Sequence, residues 1–152
     1  MYWVRWVSVV VAAAALVGLT SVSAALGATQ PASGQFIEGA PTYLSDTMVG
    51  GYEVLTLKRD VTVTGSYDGK AKAQEVITIR PDGAGSAQIV MDFKGKACGQ
   101  PAKLKFVISI ETDLVTSFSG SWSAFDESGR VGNGSLAGVP DMGGNYIGTM
   151  RC

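Results

Sequence analysis

The sequence predicts an all-β chain, a single antiparallel up-and-down β-barrel of about seven or eight strands preceded by a signal peptide. Three observations carry that expectation. Apolar and polar residues alternate with period two through several segments of the second half of the chain. Such segments recur roughly every 10–15 residues with Gly, Pro, Asp and Ser between them, a spacing typical of sandwiches and barrels. Helical spacing of apolar residues appears nowhere after the first 28 residues.

The N-terminus comes first. Arg5 precedes an apolar run over residues 7–19, broken only by Ser8 and Gly18, and the first 28 residues contain no acid. Val22-Ser23-Ala24 and Ala25-Leu26-Gly27 offer small-x-small cleavage geometry, so residues 1–28 read as a cleaved secretory signal. The rival reading is an uncleaved anchor, because residues 7–28 are about long enough to cross a bilayer. Ser8, Thr20, Ser21 and Ser23 dilute that run, and cysteine is missing from the cleavage region, which excludes lipid attachment there. The expectation is a chain secreted or held at the cell-envelope exterior, with no stable membrane insertion once processed. What remains carries 11 bases against 13 acids, a formal charge of −2, and is long enough for one core. Neither sign clusters along the sequence, which argues against a nucleic-acid partner or an anionic membrane surface.

Residues 29–50 mix Pro, Gly, Ala and Ser with scattered apolar residues and read as a flexible N-terminal arm or linker. Phe36, Ile37, Tyr43 and Leu44 are its candidates for tucking against the domain. The barrel itself is placed at residues 51–152. Residues 54–63 are rich in Val, Leu and Thr, and Gly65-Ser66-Tyr67-Asp68-Gly69 reads as the turn that ends them. Residues 76–79 form a β-branched run closed by Pro81-Asp82-Gly83. Ile89, Met91 and Phe93 alternate with Val90, Asp92 and Lys94. Leu104, Phe106, Ile108 and Ile110 alternate with Lys103, Lys105, Val107 and Ser109, the clearest period of two in the chain. Phe118, Trp122 and Ala124 share one parity and four serines the other. Tyr146, Gly148, Met150 and Cys152 share one face of a last strand.

The cysteines help to choose the connectivity. Cys98 and Cys152 are the only pair, and an even count in an exported chain points to a bridge; two free thiols or an intermolecular bridge are the alternatives. Each cysteine ends a strand, and two strand ends share a rim only when an even number of reversals separates them. Strands near residues 102–111, 114–125 and 143–152 give three reversals. A further strand near residues 132–139 makes four, so the bridge predicts that strand despite its glycines.

From about Thr64 to Cys152 the chain resembles a family of small bacterial proteins of unknown function with an allene-oxide-cyclase-like, calycin-type barrel. The residues that carry the resemblance are Gly65-Ser66-Tyr67-Asp68-Gly69, Pro81-Asp82-Gly83, Phe118-Ser119-Gly120-Ser121-Trp122, Gly134-Ser135-Leu136-Ala137-Gly138-Val139 and Gly144-Asn145-Tyr146-Ile147-Gly148. These are turns and glycines. The resemblance implies a closed barrel with a modest interior and no particular chemistry. The signal segment and the cysteine pair depart from the family and suggest an exported branch.

The chain has no histidine, which removes Ser-His-Asp and Cys-His catalysis and His-ligated zinc together. No metal site, cofactor site or catalytic residue is assigned. Gly65-x-x-x-Gly69-Lys70 is one residue short of a phosphate loop and lacks the helix, and Gly132-Asn133-Gly134 lacks a dinucleotide-binding context. Asp126-Glu127 and the Glu111/Asp113 pair read as solvated turn residues. Phe106, Phe118, Trp122 and Tyr146 are the candidate ligand-binding residues, against the simpler reading that they fill the barrel. Three function classes follow: a binding module for a small apolar ligand, an extracellular protein-interaction or inhibitor module, and an isomerase- or cyclase-like enzyme. The enzyme needs a buried ionisable group, for which Glu75, Glu53 and Tyr146 are the candidates.

Overall fold

The computed structural model describes residues 27–152, and all of its regular structure is β: β1 (Thr29–Glu38), β2 (Thr42–Val49), β3 (Tyr52–Gly65), β4 (Tyr67–Ile79), β5 (Gly85–Ala97), β6 (Gln100–Thr112), β7 (Phe118–Asp126), β8 (Gly129–Val139) and β9 (Gly143–Arg151). From β3 to β9 each strand pairs antiparallel with the next. β1 pairs with β9 on one side and β3 on the other, closing eight strands into a barrel. β2 is a ninth strand outside the ring. The expected signal peptide lies outside the described residues, except for its last two positions.

Alternation fixes what faces inward. On β6, Leu104, Phe106 and Ile108 are buried while Lys103, Lys105 and Ser109 face out. On β3 the inward set is Leu57, Arg59, Val61 and Val63. The apolar interior and charged exterior are the reverse of a barrel that crosses a bilayer, and among the described residues no helix is long and apolar enough to do so.

The glycine-rich segment is indeed a strand, β8, and its glycines have a steric cause. Trp122 lies opposite Gly134 and Phe118 opposite Gly138. A Cβ at Gly132 would run into the Tyr67 hydroxyl, and one at Gly138 into the Phe118 ring. Large residues on one wall require the absence of side chains on the next. With β8 in place, four reversals bring Cys98 and Cys152 to one rim, where they form a disulfide with Cα atoms 5.9 Å apart.

Two expectations need correction. Residues 29–50 are two strands rather than a flexible arm, so the barrel spans residues 29–151 and not only 51–152. β1 closes the ring through backbone pairing with β9 from Thr29↔Arg151 to Ile37↔Gly143 and with β3 from Gly34↔Gly65 to Glu38↔Val61. Its small inward residues hid this: Gly34 must be small because Tyr146 lies against it. β2 continues along the same edge of β3, from Thr42↔Lys58 to Val49↔Tyr52, with a bulge between Tyr43 and Ser45. Every residue of β2 is exposed. Of the four arm residues that are candidates for tucking in, Phe36 packs against the core, whereas Ile37, Tyr43 and Leu44 are exposed.

The second correction concerns charge. Folding does cluster one sign: Lys70, Lys94 and Lys103 stand side by side across β4, β5 and β6. In the adjacent row Asp60, Lys72, Asp92 and Lys105 alternate in sign, with ion pairs Lys72–Asp60 and Lys105–Asp92 at 3.9 and 3.3 Å. The lysine row makes no such pair among the described residues. Residues far apart in sequence produce it, so a scan along the chain does not see it.

Candidate functional site

The barrel interior has a filled half and an open half. Tyr67, the first residue of β4, is 1 % exposed and sits at the centre of the filled half. Its ring lies 5.1–6.2 Å from those of Phe93, Phe106, Trp122 and Tyr146, three of the four in edge contact. Such pairs add about 0.5–1.5 kcal/mol each beyond their burial. Tyr67 lines both the crevice beside the disulfide and the cavity above, so it forms the floor between them. The flanking glycines predict a turn at Tyr67; its parity with Ala71, Ala73 and Glu75 is the signal for the inward strand position that it takes.

The polar atoms of this floor are tied to the backbone, except the Tyr67 hydroxyl, which is buried without a hydrogen-bond partner among the described residues. The Tyr146 hydroxyl donates to the Thr64 carbonyl at 3.1 Å and accepts the Tyr67 N–H at 3.0 Å. Trp122 Nε1–H is shared between the carbonyls of Ser135 and Ile147, each at 3.2 Å. Burial pushes the Tyr67 hydroxyl up to about 12, with nearby Tyr146 adding to it, and burial also raises Tyr146. Both therefore stay protonated at neutral pH.

Above the floor lies a cavity of about 50 Å³. A single water needs about 10–15 Å³ on this measure, so the space takes a few waters or a very small molecule. All four aromatic candidates, Phe106, Phe118, Trp122 and Tyr146, line it. They do not act as one group: Phe106, Trp122 and Tyr146 belong to the floor, whereas Phe118 pairs with Phe36 of β1 at 6.0 Å. The rest of the wall is almost wholly aliphatic, and Glu38 and Glu75 are its two carboxylates.

Those carboxylates belong to an ionic cluster built from four parts of the fold. Arg59 on β3 faces inward and is 7 % exposed. Its Nη1 lies 3.0 Å from Glu38 Oε2 on β1 and 2.8 Å from Asp141 Oδ1 in the β8–β9 turn, and its Nε lies 3.0 Å from Glu75 Oε1 on β4. The Nε–Glu75 approach is a charge contact rather than an aligned hydrogen bond. The Asp141 N–H donates to the same Glu38 oxygen at 3.0 Å. Asp141 takes a positive φ of 60°, which aspartate tolerates better than most residues.

Burial dominates the titration of this cluster. It raises Glu75 to about 7 even though Arg59 pulls the other way, and it raises Glu38 against the same opposing pull. Of the three ionisable candidates from the sequence, Glu75 is thus buried beside the cavity, Tyr146 is bound to backbone, and Glu53 is only half-buried near the start of β3. Arg59 was missed, although it shares parity with Leu55, Leu57, Val61 and Val63.

Of the remaining acidic residues, Glu111 is exposed on β6, 3.4 Å from Arg80, while Asp113, Asp126 and Glu127 lie at turns. Asp113 accepts the N–H groups of Val115, Thr116 and Ser117 at 3.0, 2.7 and 2.9 Å, and its carboxyl is held far below the usual range by Thr116 and these donors. Asp126 organises the β7–β8 turn through Ser128, whose hydroxyl leads the lowering of its carboxyl. Groups of three or more acidic or cysteine ligands placed to hold a metal ion do not occur among the described residues. Comparison with protein-family models and with curated proteins gives no match.

Proposed function

We propose that this barrel is an exported binding module that holds a small, largely apolar ligand in the upper half of its interior. The observation that carries the reading is the cavity between the Tyr67 floor and the ionic cluster: apolar on most sides, with two carboxylates at one side. Ligand sites are commonly of this kind, apolar walls with a few placed polar groups. The Cys98–Cys152 bridge supports an oxidising compartment outside the cytoplasm, as does the N-terminal export signature. Membership of an allene-oxide-cyclase-like family is part of the same proposal, and the closed antiparallel ring is consistent with it.

Xenon is a suitable first probe because it is small and apolar. Under xenon pressure, NMR shifts are expected to concentrate on Phe36, Phe106, Phe118 and Leu136. Shifts spread evenly over the surface, or none, overturn the reading.

A second reading, a protein-interaction module, has one specific observation in its favour. β2 exposes Tyr43, Leu44, Met48 and Val49 by 62, 51, 68 and 61 %, and its outer edge has no partner strand among the described residues. Exposed edges invite strand addition.

A further inference from the structure

The upper interior carries an unbalanced charge. Arg59 is the only cation of its cluster and faces three carboxylates. The Asp141 side chain is 65 % exposed, so water screens it, but those of Glu38 and Glu75 are only 12 % and 6 % exposed. With both carboxylates ionised, one guanidinium leaves a net negative charge beside an apolar cavity. Buried charge without a counter-charge is among the most expensive arrangements in a protein.

The hydrogen bonds show the same deficit. Glu38 uses Oε2 for both Arg59 and the Asp141 N–H, and Glu75 turns Oε1 toward Arg59. Among the described residues, Glu38 Oε1 and Glu75 Oε2 accept no hydrogen bond, and each keeps some accessible surface; the one fully buried orphan of the cluster is Arg59 Nε. Both side chains line the cavity, whose apolar lining includes Phe36, Ile110 and Phe118. A proton on Glu75 removes the charge but leaves acceptors unused; a small cation with several N–H donors supplies both what the charge and what the oxygens lack.

We propose that the ligand of this barrel is a small aliphatic amine, its ammonium held by Glu38 and Glu75 and its alkyl chain between Phe36, Ile110 and Phe118. The proposal rests on the reading above that the upper interior binds an apolar ligand, and it names the head group. An ammonium fits because it is a compact charge with up to three donors. A carboxylate ligand meets like charge. A larger planar cation is excluded by a cavity of about 50 Å³.

The test is calorimetric titration of the full chain with n-butylammonium chloride, 1-butanol and sodium butyrate, repeated with Glu75→Gln and Glu38→Gln. The amine is expected to bind at least about tenfold more tightly than the alcohol, as a charge-assisted contact out of water should. Butyrate is expected not to bind. Each glutamine variant is expected to weaken the amine about tenfold and butanol far less, and a cooperative thermal melt of each variant shows that the barrel has stayed folded. Amine affinity should rise with pH as Glu75 loses its proton; the charged groups facing Glu75 are Arg59, Glu38 and Asp141. Butanol binding as tightly as the amine, or glutamine variants that bind the amine like wild type, overturn the ammonium proposal while the apolar-ligand reading stands. Failure of all three probes to bind wild type overturns both.

Discussion

The hydroxyl of Tyr146, on β9, lies 3.0 Å from the backbone nitrogen of Tyr67, at the start of β4, and accepts its proton. One side chain of the last strand thus fastens the β3–β4 corner, because the same hydroxyl donates to Thr64. Tyr146→Phe removes this oxygen and leaves a buried N–H without a partner. The expected loss is about 1–3 kcal/mol, the penalty for one orphaned buried donor, read as a lower denaturation midpoint at unchanged m-value. An unchanged midpoint means that water reaches the corner and that it is not sealed.

Reduction tests the rim. The Cys98–Cys152 bridge closes a loop of 54 residues, for which chain entropy gives about 4 kcal/mol as a model-dependent figure. Urea denaturation with and without reductant should separate by roughly 2–4 kcal/mol, and Cys98→Ala should match the reduced wild type. A variant as stable as the oxidised protein shows the bridge to be energetically idle.

The pH dependence of stability follows from Glu75. In the unfolded chain its carboxyl titrates at its ordinary value, near 4.5; in the folded chain burial pushes it up to about 7. Between those values the folded state holds a proton that the unfolded state has released, so stability is greatest at the acidic end of the window and falls as pH rises through it. Glu38 is shifted in the same direction. Thermal melts at pH 5 and pH 8 should therefore show a lower midpoint at pH 8, and Glu75→Gln should reduce the difference. An equal difference in the variant assigns the slope to other groups.

On the outer wall, the row Lys70–Lys94–Lys103 places like charges directly opposite across two strand pairs. Lys94→Glu turns both repulsions into attractions. Cross-strand charge pairs are worth a few tenths of a kcal/mol each, so a gain of about 0.5 kcal/mol is expected at low salt, shrinking at high salt. Stability unchanged at both salt concentrations indicates that the lysine side chains splay apart in water.

How much of this was readable from the sequence depended on what each residue faces. β6 was plain because one face is core and the other water, so Leu104, Phe106 and Ile108 stand out against lysines. β8 is reached only through the cysteines, since three of its inward positions, Gly132, Gly134 and Gly138, are glycines beside Tyr67, Trp122 and Phe118, and Leu136 alone is apolar and large. β1 is hidden for a related reason: its inward positions include the small residues Ala32 and Gly34, and at Gly34 Tyr146 already occupies the space. The four aromatic candidates do gather inside, and Glu75 is buried among them, but Tyr67 and Arg59 were overlooked. A tyrosine between glycines looks like a turn, and an arginine in a strand looks like an outward residue. Only its pairing with three carboxylates from distant segments makes an inward arginine tolerable.

The ring is sealed by its first strand. β1 borders β9, so Thr29 meets Arg151 across 122 positions of chain. During synthesis, every other stave can zip onto its predecessor as soon as both have emerged, whereas this seam waits for β9. Closing so long a loop is slow, and until then β1 and β9 each show an open edge. The interval before β9 docks on β1 is therefore when this chain is most exposed to pairing with a neighbour, and a population of exchanged dimers linked through β1 should grow with protein concentration during refolding.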